Sequence, residues 1–297
     1  MLPESTRTAI AQSVLDATGH FRITDFTAAG GGCINSAYRL SDAAGQQLFL
    51  KVNHAALAEM FVAEFEGLTE LRKPGAIRVP RPVCHGCDET HAWLVTEHIR
   101  FRPAGGQSEA LLGEQLAAMH RQTADMFGWH RDNTIGSTPQ SNRQSDAWID
   151  FFRDERLSFQ LQLAANNGFR GRLQVLGAEL LERLPAFFDG YTPVPSLLHG
   201  DLWGGNLAFD EEGQPVIFDP AVYYGDREAD IAMTGLFGGF GRTFYDAYNT
   251  AWSLDDGYAI RKTLYNLYHV LNHANLFGGG YAGQAESMME RLLASAR

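Results

Sequence analysis

The sequence predicts an α+β fold in two unequal parts, a small β-rich lobe followed by a larger, mainly helical one. Three observations carry this. Leu48, Leu50 and Val52 alternate with Phe49 and Lys51, the period of a strand. After the break Pro103-Ala104-Gly105-Gly106, apolar residues recur at spacings of three and four instead. A compact, turn-rich segment, Leu197 to Asp219, then interrupts the helices. The boundary is placed near 98–106, giving lobes of residues 1–98 and 99–297.

In chain order, the first hundred residues read as mainly β. A glycine-rich stretch, Gly30-Gly31-Gly32-Cys33-Ile34-Asn35, precedes an extended run from Ala37 to Leu40 and then the strand bearing Lys51. Leu57, Phe61, Phe65, Leu68 and Leu71 have helical spacing, and Pro74-Gly75 stops that helix. Val79-Pro80-Arg81-Pro82 leads into further strands, the last holding Trp93, Leu94 and Val95. Beyond the break, Leu111, Leu112, Leu116 and Met119 mark one helical stripe, and 146–166, 171–189 and 258–277 read as helices too. Leu207-Ala208-Phe209, the turn Asp210-Glu211-Glu212-Gly213 and the run Pro215 to Phe218 predict a hairpin.

The chain has 297 residues, 45% of them hydrophobic, enough for a sizeable core. Asp and Glu number 35 against 24 Lys and Arg, a formal charge of −11. That excess argues against nonspecific nucleic-acid binding and against adhesion to anionic membranes, and it suits cationic or neutral substrates. No apolar run approaches the roughly 18 residues of a bilayer span, and the start MLPESTRTAIAQ lacks the pattern of a leader. Three cysteines cannot build a disulfide framework. A cytoplasmic protein is expected, a monomer or weak homodimer with neither a nucleic-acid nor a membrane partner.

The most specific signal is His199-Gly200-Asp201-Leu202-Trp203-Gly204-Gly205-Asn206, followed by Val216-Ile217-Phe218-Asp219. Phosphoryl transfer needs a loop Asp at the attacking hydroxyl, an Asn five residues on, and a second Asp after a short strand to hold metal on the phosphates. Asn206 is five beyond Asp201, and the predicted hairpin returns Asp219 towards Asn206. Upstream, the glycine loop would bring backbone N–H groups to phosphate oxygens, and Lys51 would add a point charge. A helix carboxylate should hold that lysine. Glu64, on the packed side of the helix, is preferred, because Glu66 points elsewhere.

These parts in this order resemble the protein-kinase-like phosphotransferases of small molecules, and among them the fructosamine kinase (ketosamine-3-kinase) family. The segments that carry the resemblance run from Gly31-Gly-Cys-Ile-Asn35 through His199–Asn206, Leu236-Phe-Gly-Gly-Phe240 and Leu271-Asn-His273. It implies a bilobal protein-kinase-like fold and ATP- and Mg2+-dependent phosphorylation of the 3-hydroxyl of a ketosamine, free or protein-bound, leading to deglycation. It also implies roles. Asp201 accepts the hydroxyl proton, Asn206 and Asp219 bind the metal, and Gly31, Gly32, Lys51 and Glu64 serve the nucleotide phosphates. Thr96-Glu97-His98-Ile99 forms the hinge, with Glu97, His98 and Ile99 at the adenine. Gly204 departs from the family pattern, where many members have Ser. Another kinase of the superfamily, of the aminoglycoside or choline type, is the alternative, and a nucleotide-binding pseudokinase a more distant one.

Four further features stand outside this set. Trp203 either walls the substrate or packs in the core, and His273 either joins that wall or forms a satisfied core pair with its neighbours. His269 and His273 have the spacing of two metal ligands on a helix, without a third. Cys84-x-x-Cys87 reads as a structural or surface turn. Cys33, in the glycine loop, is a redox candidate whose oxidation would block the nucleotide.

Overall fold

The computed structural model describes residues 2–30, 35–105 and 107–296. Its first element is a helix, α1 (Glu4–Thr18), where the sequence reading expected mainly strands. Then come β1 (Ile23–Ala29), β2 (Ser36–Asp42), β3 (Gln47–His54), α2 (Ala58–Arg72), β4 (Pro82–Cys87) and β5 (His91–Glu97). The five strands form one antiparallel sheet in the order β1-β2-β3-β5-β4.

This sheet is covered on both faces, and the strand period decides what each residue meets. Leu48, Leu50 and Val52 of β3 join Trp93 and Val95 of β5 and Leu2, Ile10 and Val14 in one core, beneath α1. Ala92 and Leu94, one residue out of phase, belong to the other core with Phe61, Leu68 and Leu71 of α2. Lys51 is likewise out of phase with Leu50 and Val52 and stands opposite Leu94, so it emerges on the α2 side.

The chain then enters the helical part. β6 (Phe101–Arg102) precedes α3 (Ser108–His120), and β7 (Asn133–Ile135) pairs with β8 (Thr138–Gln140) as a hairpin. α4 (Trp148–Phe151) continues through a π-helical stretch, Phe152–Ser158, into α5 (Phe159–Asn166) and α6 (Arg172–Arg183). Next are β9 (Ser196–Leu198), β10 (Leu207–Asp210), β11 (Pro215–Ile217) and β12 (Tyr223–Gly225). The expected hairpin is present, with Leu207 opposite Ile217, and β6 pairs with its outer edge. Four helices close the chain: α7 (Glu228–Thr234), α8 (Arg242–Ala251), α9 (Tyr258–Phe277) and α10 (Tyr281–Ser295). The first, second and last of these were not read from the sequence. α7 is buried along its whole length and packs on α9. Among the described residues no helix is long and apolar enough to cross a membrane.

Candidate active site

The period of β3 delivers Lys51 to the cleft, where its Nζ donates to Glu64 Oε1 at 2.6 Å and to Asp219 Oδ1 at 2.5 Å. Burial alone would lower the lysine's pKa, but the two carboxylates outweigh it and hold the ammonium well above its ordinary value. Glu64, not Glu66, is the helix partner. Glu66 faces away and bonds His130 and Arg131.

Asp201 and Asn206 are joined by the loop between them, whose last three residues form a 3₁₀ turn. Asn206 Nδ2 donates to the Asp201 carbonyl at 2.8 Å and to Asp201 Oδ2 at 3.0 Å. The amide nitrogen is thus used within the loop, which leaves Oδ1 as the oxygen that Asn206 can offer a cation. Asp219 has φ +58°, the only positive φ outside glycine among the described residues. Such backbone is uncommon for a residue with a side chain and persists where the surroundings fix it.

His199 and Asp230 fix those surroundings. Asp230 Oδ2 accepts from the amide of His199 at 2.7 Å and Oδ1 from that of Gly200 at 2.8 Å. Burial works against this carboxylate, but His120 and the loop amides keep its pKa below the usual value. The His199 ring spans the two chemical segments: Nδ1 accepts from the Asp201 amide at 3.3 Å, and Nε2 lies 2.9 Å from the Phe218 carbonyl. An accepting Nδ1 leaves the proton on Nε2, so His199 is a neutral strut; burial lowers its pKa accordingly.

Burial pushes the Asp201 carboxyl up to about 7, helped by Asp219 and Asp230 and opposed by the bond from Asn206. Only the ionised form can take a proton. kcat/KM is therefore expected to climb about tenfold per pH unit below about pH 7 and to level off above it. A flat profile between about pH 5 and 8 would remove Asp201 from that role.

Glu97 closes β5, and its N–H already donates to the Arg81 carbonyl at 2.8 Å while its carboxylate binds Arg78 at 3.0 Å. His98 is half-buried and Ile99 buried. Beyond them the rings of Phe101 and Phe218 stack at 5.5 Å, an apolar pair missed in the sequence because its members are 117 residues apart.

Trp203 is 37% exposed, so it is not a core residue. Phe237 of the Leu236–Phe240 segment joins it to His273, with ring centroids 6.0 Å from Trp203 and 4.8 Å from His273. The row continues from His273 to Phe277 and Tyr281. His273 Nδ1 bonds the carbonyl of His269 one turn back, at 2.8 Å. A Cβ on Gly204 would meet nothing within 4 Å, so no steric demand requires glycine there.

Cys84 and Cys87 lie on β4, not in a turn, the first half-buried and the second exposed. Burial pushes the Cys84 thiol up to about 12, which keeps it protonated. Gly31, Gly32 and Cys33 fall outside the described residues.

The pattern of the fructosamine kinase family matches residues 6–295. A probable ketoamine kinase of Synechocystis is 46% identical over 286 residues, covering 96% of each chain. A chloroplastic protein-ribulosamine 3-kinase of Arabidopsis thaliana is 42% identical over 275 residues, covering 92% of this chain and 83% of its own. The crystal structure of a putative fructosamine-3-kinase from Haemophilus somnus superposes with a TM-score of 0.87 at 28% identity, covering 96% of both chains.

Proposed function

The chain belongs to the fructosamine kinase family, and from that membership we propose that it transfers the γ-phosphoryl group of ATP to the 3-hydroxyl of a ketosamine. The observation that carries this reading is the meeting of Lys51, Glu64 and Asp219 on one side of the cleft with Asp201 and Asn206 on the other. Residues 1–98 are the nucleotide-binding lobe and 99–297 the catalytic lobe.

Lys51, held by Glu64, neutralises phosphate charge. The backbone of the 97–99 hinge, above the Phe101–Phe218 pair, takes the adenine. Asp201 orients the hydroxyl and accepts its proton as the new P–O bond forms, and ADP leaves. Asn206 Oδ1 and the Asp219 carboxylate are hard oxygen donors, the set that suits Mg2+ shared with substrate phosphates. Magnesium would supply charge neutralisation on the transferring group. Lys51 occupies Asp219 Oδ1 in this structure, so the lysine must loosen its hold there when a cation takes the carboxylate. Trp203, Phe237 and His273 form the wall along which the amine-bearing part of the substrate lies, and an indole face favours an ammonium.

Phosphate on O3 is carried by the carbon next to the C2 carbonyl, two carbons from the amine-bearing C1. Loss of a C1 proton gives the C1=C2 enaminol, whose nitrogen lone pair expels inorganic phosphate from C3, and water hydrolyses the resulting iminium to free the amine and leave a 3-deoxy dicarbonyl sugar. Deglycation follows from that chemistry. The test is ADP release with ATP and Mg2+ over ribulose-lysine, fructose-lysine, a glycated protein, kanamycin and choline. Turnover of a ketosamine is expected, and turnover of kanamycin or choline alone would overturn the substrate assignment. ATP binding without turnover of any of them would favour a pseudokinase.

A further inference from the structure

Three carboxylates of α2 lie on one stripe, Glu59, Glu66 and Glu70, seven and eleven residues apart on the helical period. Each is held from the helical lobe. Arg131 Nη1 donates to Glu66 Oε1 at 2.8 Å and Nη2 to Glu59 Oε2 at 2.9 Å. His130 Nε2 meets Glu66 Oε2 at 2.9 Å, and the Tyr224 hydroxyl donates to Glu70 Oε1 at 2.8 Å. The helix body is close as well: a Cβ on Gly67 would stand 3.2 Å from Val222.

Arg131 is itself anchored. Its carbonyl accepts from Asn142, and the β7–β8 hairpin that follows it bonds the chain just past Asp219. Asn133 Nδ2 donates to the Val222 carbonyl at 2.8 Å and Gln140 Nε2 to that of Ala221 at 3.2 Å. One short segment therefore touches both the helix that carries Glu64 and the link from β11 to β12 that contains Asp219.

We propose that Arg131 is a positioning residue for nucleotide binding, which acts through Glu66 and α2 to keep Glu64 against Lys51; this rests on the phosphate role given to that pair above. The guanidinium fork bridges two turns of the helix, so its loss frees α2 to rotate or slide. Glu59 is almost fully exposed, and Glu66 carries most of the effect.

Arg131→Ala is expected to raise the KM for ATP about three- to tenfold and to leave the KM for the ketosamine unchanged at saturating ATP. Arg131→Lys, which keeps the charge without the fork, recovers part of that rise. In a Glu64→Ala background the Arg131→Ala change adds nothing further, because its route is already cut. Additive effects in the double variant, or an unmoved ATP KM in Arg131→Ala, would overturn the proposal. Should Arg131→Ala fold poorly, Glu66→Gln on the helix surface is expected to give the same rise. If Glu64→Ala itself leaves the ATP KM unmoved, the phosphate role of the Lys51–Glu64 pair falls, and this inference with it.

Discussion

Asp201→Asn is expected to lose about 10³-fold in kcat while ATP binds with its affinity nearly unchanged. The substitution keeps the shape of the side chain, and an asparagine oxygen can still accept from Asn206 Nδ2, so the loop retains its form. The nucleotide side of the cleft is left intact, because Lys51 bonds Glu64 and Asp219 while the Asp201 carboxylate accepts from Asn206. What disappears is the acceptor for the hydroxyl proton. Single-turnover rates and calorimetric titration with ATP separate the two quantities. A variant that keeps more than about a tenth of the parent kcat would place the base elsewhere.

Gly200→Ala is the substitution with the largest expected cost in stability. Gly200 has φ +81°, and a Cβ there would lie 2.0 Å from the carbonyl oxygen of Ala221. Neither side can yield cheaply. The Ala221 amide is bound to the His199 carbonyl at 2.8 Å, and the amides of His199 and Gly200 are both bound to Asp230. Left-handed backbone and overpacking together cost about 2–5 kcal/mol, a fall in Tm of roughly 3–8 °C for a chain of this length. The control is Gly204→Ala, four residues further along the same loop but facing open space, where Tm should hold within about 1 °C. Equal melting of the two variants would mean that the close approach to Ala221 is not a constraint.

The cluster of Asp201, Asn206 and Asp219 was legible in the sequence because its spacing is local: five residues and a short hairpin fix the three relative to one another. Lys51 was legible for a different reason, the alternation around it. α1 was not, since its buried residues Thr6, Ile10 and Val14 are too sparse in a polar segment to mark a helix before the sheet face they cover is known. The same holds for Arg131. Nothing in its neighbourhood distinguishes it from a surface arginine, and its partners are 65 and 72 residues away. Glu66 was set aside correctly as a lysine partner, yet the direction in which it does point gives it another use. The bond from the Glu97 amide to the Arg81 carbonyl was not legible either, because it depends on how the chain before β4 runs beside the end of β5.

The two-faced packing of β3 also sets where this gene product can gain or lose a residue. An insertion in the Asp42–Gln47 turn leaves every residue of β3 on its present face. An insertion between Leu48 and Lys51 would turn the lysine towards Ile10 and Val14 and bring an aliphatic side chain to Glu64 and Asp219, so a single codon there would remove the charge from the cleft and bury it under α1 at once.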